Sequence, residues 1–136
     1  MKLQPDVIGV QSISGYGPGW IGVGQERLTD SVIIGSGGER QPWRCECFED
    51  LNAEHFSRLA AMGADLIIFG SGSRIRFPRA DWIQSLVGQQ IGIETMDTQA
   101  ACRTYNVLAA EGRRVVAALL IERQPQGAVP DPKSRL

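Results

Sequence analysis

The chain has 136 residues, 14 Lys and Arg against 15 Asp and Glu, a formal net charge of −1 and 43% hydrophobic residues. That length suits one compact domain, since chains near ~150 residues bury roughly 70% of their unfolded surface around a single core. The near-neutral balance and a pI of 5.8 exclude a dedicated nucleic-acid binder, which carries a strong basic excess. The longest uninterrupted apolar run, residues 115–121, is seven residues long, far short of the ~20 that cross a bilayer, so no membrane insertion is expected.

The opening Met1-Lys2-Leu3-Gln4-Pro5-Asp6 lacks the apolar core of a secretory signal. Three cysteines, an odd number, make no disulfide framework. The expectation is a reduced, cytoplasmic single domain over residues 1–122, followed by a mobile Pro-containing tail at 123–136. Twelve of the fourteen basic residues are Arg, and the two lysines, Lys2 and Lys133, stand near the ends. A Schiff-base or P-loop lysine inside the folded body is therefore excluded.

Residues 7–13 alternate as a strand, and the cluster Gly15-Tyr16-Gly17-Pro18-Gly19 predicts a break in turn geometry. Further strands are expected at 20–24 and 28–34. Trp43, Cys45 and Cys47 alternate with Arg44, Glu46 and Phe48, a period of two that predicts another strand. At Leu51 the period becomes helical. Asn52 fits the N-cap, Leu51 and Phe56 occupy the positions of a hydrophobic staple, and Phe56, Leu59 and Ala60 share a face that Gly63 closes.

From Ala64 the pattern alternates strand and helix. Residues 65–69 and 115–121 are apolar almost throughout, as strands covered on both faces must be. Pro78 opens a short helix running to Gly88, and residues 91–96 form the strand that follows. Asp97 or Thr98 caps a longer helix with Ala101, Cys102, Tyr105, Leu108 and Ala109 on one stripe, and Gly112 stops it. Strand starts about 25 residues apart suit crossover units and parallel pairing. The expected architecture is a three-layer α/β domain, its mixed central sheet flanked by helices and its N-terminal part rich in β-structure.

Gly70-Ser71-Gly72-Ser73-Arg74 follows a buried strand. Its glycines either make a structural turn or let backbone N–H groups converge on a small anion that Arg74 or Arg76 could clamp. The dinucleotide fingerprint is absent, because Arg-Ile-Arg-Phe-Pro intervenes before any helix. Asp97, beside Glu94 at the end of the next strand, should emerge at the same sheet edge. His55 is read as a solvated surface residue, and Cys102 as a small core residue. The one-residue spacer between Cys45 and Cys47 is not a zinc or thioredoxin spacing. No metal, cofactor or catalytic constellation is indicated.

Gly70-Ser71-Gly72, Met96-Asp97-Thr98, the run 100–108 and Glu111-Gly112-Arg113 together resemble the Mth-nine-three-eight domain family. Tyr16-Gly17-Pro18-Gly19, Val32-Ile33-Ile34 and Trp43 extend the likeness to residues 5–122. The family includes a mitochondrial assembly factor of respiratory complex I and has no established catalytic set. The resemblance therefore implies a single α/β domain and a non-catalytic, protein-binding or assembly-type role, with an unidentified protein partner. The alternative is a small-molecule or anion-binding protein, or an enzyme, using the carboxyl edge. Gly70, Ser71, Gly72, Arg74, Asp97, Arg103, Asn106 and Arg113 are the candidate ligand-binding residues.

Overall fold

The computed structural model describes residues 10–122. A five-stranded sheet holds β4 (Val32–Gly35), β5 (Arg40–Pro42), β6 (Leu66–Gly70), β7 (Gly92–Met96) and β8 (Val115–Leu119) in the order β5-β4-β8-β6-β7. β6 runs parallel to both β7 and β8, while β4 runs antiparallel to β8 and β5. A separate antiparallel sheet contains β1 (Ile13–Gly17), β2 (Trp20–Val23) and β3 (Glu26–Leu28). Among the described residues there are three α-helices: α1 (Ala53–Ala60), α2 (Gln84–Gly88) and α3 (Thr98–Ala110).

Alternate residues of the central strands feed two cores. Ile33, Ile67, Phe69, Val116, Ala118 and Leu120 pack with Phe56 and Leu59 of α1, Leu86 of α2, and Trp43. Ile34, Ile68, Val115, Ala117 and Leu119 face the other way, onto Ala101, Cys102, Tyr105 and Ala109 of α3 and onto Ile13, Ile21 and Val23 of the small sheet. A sheet covered on both faces needs strands without polar alternation, which is why β6 and β8 read as unbroken apolar runs. The mixed, three-layer α/β fold with a β-rich N-terminal part is as expected.

Several local expectations are corrected. β1 continues through Gly17, and the turn is confined to Pro18-Gly19, where Gly19 has φ +78. Position 17 needs a glycine within the strand because a Cβ there would collide with the Trp20 ring lying across the hairpin. The expected strand at 28–34 is two strands in two sheets, β3 and β4, parted at Asp30-Ser31. The Ser31 hydroxyl accepts the Ile121 N–H at 2.9 Å, which ties this switch between sheets to the residues after β8. The third correction concerns residues 43–47, which form no ladder. The Cys45 N–H folds back onto the Trp43 carbonyl at 2.7 Å, so the period of two there records alternating burial without pairing. Fourth, the expected helix from Pro78 to Gly88 is a turn of 3₁₀ helix (Ala80–Trp82) followed by the short α2.

Asn52 caps α1 as expected, its side chain accepting from the Glu54 and His55 N–H groups. His55 is half-buried rather than solvated. Its Nδ1 accepts the Asn52 N–H at 3.2 Å, completing a capping box, and its Nε2 lies 2.8 Å from the Arg44 carbonyl. The expected tail at 123–136 and residues 7–9 of the expected strand at 7–13 lie outside the described residues, while residues 10–12 form no strand and β1 begins only at Ile13.

Candidate functional site

The parallel register Gly70↔Met96 brings the carboxyl ends of β6 and β7 together, and α3 begins directly behind them. Asp97 is the N-cap of α3, its carboxylate accepting the Ala100 N–H at 2.9 Å. Thr98, which is buried, ties three elements at this edge. Its hydroxyl donates to the Leu120 carbonyl at 2.7 Å and accepts the Gly72 N–H at 2.9 Å, while its own N–H donates to the Gly72 carbonyl at 2.9 Å. α3 can come this close only because position 70 lacks a side chain. A Cβ there would sit 3.0 Å from Ala101 Cβ and from Thr98 Cα.

Residues 71–76 wind around the buried Ser71. The Ser71 N–H donates to Met96 at 2.8 Å, and its hydroxyl accepts the Arg76 N–H at 2.8 Å. The Arg76 guanidinium donates to the Ser71 carbonyl and to Glu122, at 2.7 and 2.6 Å from Nη2, and lies 4.8 Å from the centre of the Phe48 ring. Glu122 also accepts the Phe48 N–H at 2.8 Å. The N–H groups of Ser71 and Gly72 and the charge of Arg76 are thus all engaged within the protein. This supports the turn being a structural knot, with Arg76 as its fastener.

Among the candidate residues, the structure brings together Gly70, Ser71, Gly72 and Asp97. Arg74 follows on the same loop and is exposed. Arg103 lies further along α3 and donates from Nη1 to the Tyr16 hydroxyl at 3.3 Å. That bond, and the Asp97 charge, hold its pKa above the ordinary value. Asn106 brackets the start of β1 by accepting the Ile13 N–H and donating to the Ile13 carbonyl, both at 2.9 Å. Arg113 precedes β8 and therefore lies at the opposite end of the sheet from Gly72.

A groove of about 720 Å³ opens on this edge, between Pro18, Trp20 and Ile21 of the hairpin, Gly72 of the loop, and Asp97 and Ile121. Its charged lining is Asp97 and Glu122, with no basic side chain among the described residues that line it. Trp20 and Glu122 were not anticipated from the sequence. Glycines at 15 and 17, just before an aromatic residue across a tight turn, are the one local signal that could have pointed to Trp20. Arg27, whose guanidinium sits 3.8 Å from the Trp20 ring centroid, covers that ring.

Burial pushes Cys45 and Cys102 up to about 12, and Cys47, which lines the groove, is raised by desolvation and by the Asp50 charge. Among the described residues, no group of three or more His, Cys, Asp or Glu is placed to hold a metal ion. No helix there is long and apolar enough to cross a membrane.

Replacing Asp97 tests the cap directly. Asp97→Ala should lower the unfolding free energy by ~0.5–2 kcal/mol, while Asp97→Asn, another good N-cap, should retain most of it. Urea denaturation of both variants checks this, and an unchanged midpoint in the alanine variant would refute the assignment.

The fold and this edge define a class: a single α/β domain with a central mixed sheet, a small antiparallel sheet over one face, and a groove where the two meet. The chain belongs to the family described as "Protein of unknown function (DUF498/DUF598)", whose model matches residues 13–120. It is 36% identical over 128 residues to an uncharacterized protein of Rhodobacter capsulatus, covering 93% of this chain and 95% of that one. The human NADH dehydrogenase [ubiquinone] 1 alpha subcomplex assembly factor 3 is 30% identical over 80 residues, which is 57% of this chain and 44% of the assembly factor. The chain therefore spans less than half of that relative.

Solved structures agree. A crystal structure of a Bordetella parapertussis protein superposes with a TM-score of 0.78 at 34% identity, covering 83% of this chain and 97% of that one. A solution structure from Bordetella pertussis, described as a Mth938-like domain, gives 0.75 at 28% identity, with 90% and 93% covered.

Proposed function

We propose that this chain is a non-catalytic, assembly-type protein-binding module that works in the cytoplasm and contacts its partner through the carboxyl edge of the central sheet. The observation that carries the reading is the loop after β6. Ile75 and Phe77, 51% and 69% exposed, stand out from a segment that the bonds of Ser71 and Arg76 hold in one shape. Large apolar side chains on a fixed loop cost solubility, and a contact surface is what offsets that cost. The name of the human relative supports assembly as the setting, and we extend it to a role in building a respiratory complex.

The alternative, a site for a small anion or a substrate, is less well supported. The lining carboxylates of Asp97 and Glu122 repel anions, and no activated nucleophile stands in the groove.

The test is affinity capture from cells that produce the tagged chain, with native protein compared against an Ile75→Ser, Phe77→Ser double variant. The variant should fold with an unchanged unfolding midpoint and lose the co-purifying protein, and the level of assembled respiratory complex should fall with it. Equal recovery with both proteins, or recovery of the chain alone under cross-linking, would overturn the reading.

A further inference from the structure

We infer that the carboxyl-edge face pairs with a second copy of this chain, each copy placing its Arg74–Phe77 loop in the groove of the other. The inference rests on the reading of this edge as a protein contact surface and names one occupant for it.

Two features on the same face are complementary. The loop offers exposed Ile75 and Phe77 beside the exposed Arg74, while Arg76, between the two apolar residues, points inward to Ser71 and Glu122. The groove offers Pro18 and Trp20 as its accessible apolar wall, backed by the buried Ile21, Leu120 and Ile121, and carries only carboxylates as charged lining. Apolar protrusion meets apolar wall, and the arginine meets the charge of Asp97. Glu122 is already paired with Arg76, so the groove carboxylate that Arg74 meets is Asp97, which also caps α3 and acts on the Arg103 charge.

The two features are also contiguous, because Gly72 and Ser73 line the groove and lead directly into the loop. A surface holding both halves of a complementary pair side by side is suited to a two-fold, self-complementary interface, which closes on itself at a dimer. The loop keeps its shape without a partner, so little ordering cost opposes association.

A membrane surface is the other class of contact that an arginine with exposed apolar residues could serve. The acidic lining on the same face and the net charge of −1 disfavour an anionic bilayer.

Sedimentation velocity of the full 136-residue chain over a wide concentration range tests the inference. The native chain should show a reversible monomer–dimer equilibrium. Phe77→Ser and Ile75→Ser should each weaken it by about tenfold or more. Arg74→Glu should weaken it and make the remainder insensitive to salt, and Asp97→Asn, which preserves the helix cap, should do the same. Circular dichroism confirms that each variant is folded. A native chain that is monomeric throughout, or a dimer that all four variants leave intact, would overturn the inference. A monomer whose Ile75→Ser, Phe77→Ser variant still loses a captured protein would overturn self-pairing while leaving the contact surface in place. Co-sedimentation with anionic vesicles by a monomeric native chain would give the loop to lipid instead.

Discussion

Phe69→Ala should be the most damaging single truncation in the domain, costing ~3–5 kcal/mol of unfolding free energy. Phe69 is fully buried on β6. Its ring meets Phe56 edge-on at 5.3 Å between centroids and Trp43 at 5.8 Å, and lies roughly parallel to Phe48 at 6.4 Å. Removing it withdraws a shared neighbour from three aromatic rings, and beside a rigid central strand the cavity can close only partly.

The effect should also reach the candidate site. Phe48 is the ring over which Arg76 lies, and its N–H is held by Glu122. A loosened Phe48 therefore weakens the fastener of the Arg74–Phe77 loop. Phe69→Leu, which refills much of the space, should cost clearly less. Urea unfolding followed by tryptophan fluorescence measures both variants, since Trp43 reports the cavity directly. A Phe69→Ala midpoint within error of the native one would show that this cluster is not the keystone of its layer.

How far the sequence carries this fold depends on the range of the determining contacts. The Asn52 cap with its Leu51–Phe56 staple, the Asp97 cap, and the buried runs of β6 and β8 are set by neighbours a few residues away, so periodicity and end signals reveal them. Residues 28–34 failed as one strand because the pattern of alternation is blind to a change of sheet. That change is fixed by Ser31 reaching Ile121, 90 residues along the chain. Residues 43–47 failed for a different reason: burial of Trp43 and Cys45 against the core produces a strand-like period without a strand partner.

The candidate site divides along the same line. That Gly70–Arg74 and Asp97 meet at one edge follows from parallel strands joined by a crossover, which makes it legible in sequence. Which of the two arginines, 74 or 76, turns inward was not legible, because it depends on Glu122, 46 residues away. The glycines at 15 and 17 hint at Trp20, but its place in the groove wall was hidden, since no local pattern says where the hairpin lies against the sheet. Asn106 was a candidate ligand-binding residue from the sequence, yet its two bonds to Ile13 span 93 residues and make it a bracket for β1.

Thr98→Val should be the second large loss, and the one that bears most closely on the site. The substitution keeps the shape of the side chain and replaces its hydroxyl with a methyl. Two buried backbone groups then lose their partner: the Gly72 N–H, which donates to Thr98 Oγ1, and the Leu120 carbonyl, which accepts from it. An unsatisfied buried group costs about 1–3 kcal/mol, so the pair should cost at most roughly 2–6 kcal/mol, reduced where water can reach them from the groove. The Leu120 N–H still donates to Gly70 and the Thr98 N–H donor to Gly72 survives as a backbone group, so the edge should loosen rather than come apart. Thr98→Ser retains the hydroxyl and should recover most of the loss. Amide hydrogen exchange separates this from a general fall in stability: Gly72 should lose protection by more than the core amides of β8 do. If the Gly72 amide is protected equally in Thr98→Val and Thr98→Ser, the hydroxyl does not hold the loop, and the shape of the groove must be fixed by the Arg76–Glu122 pair instead.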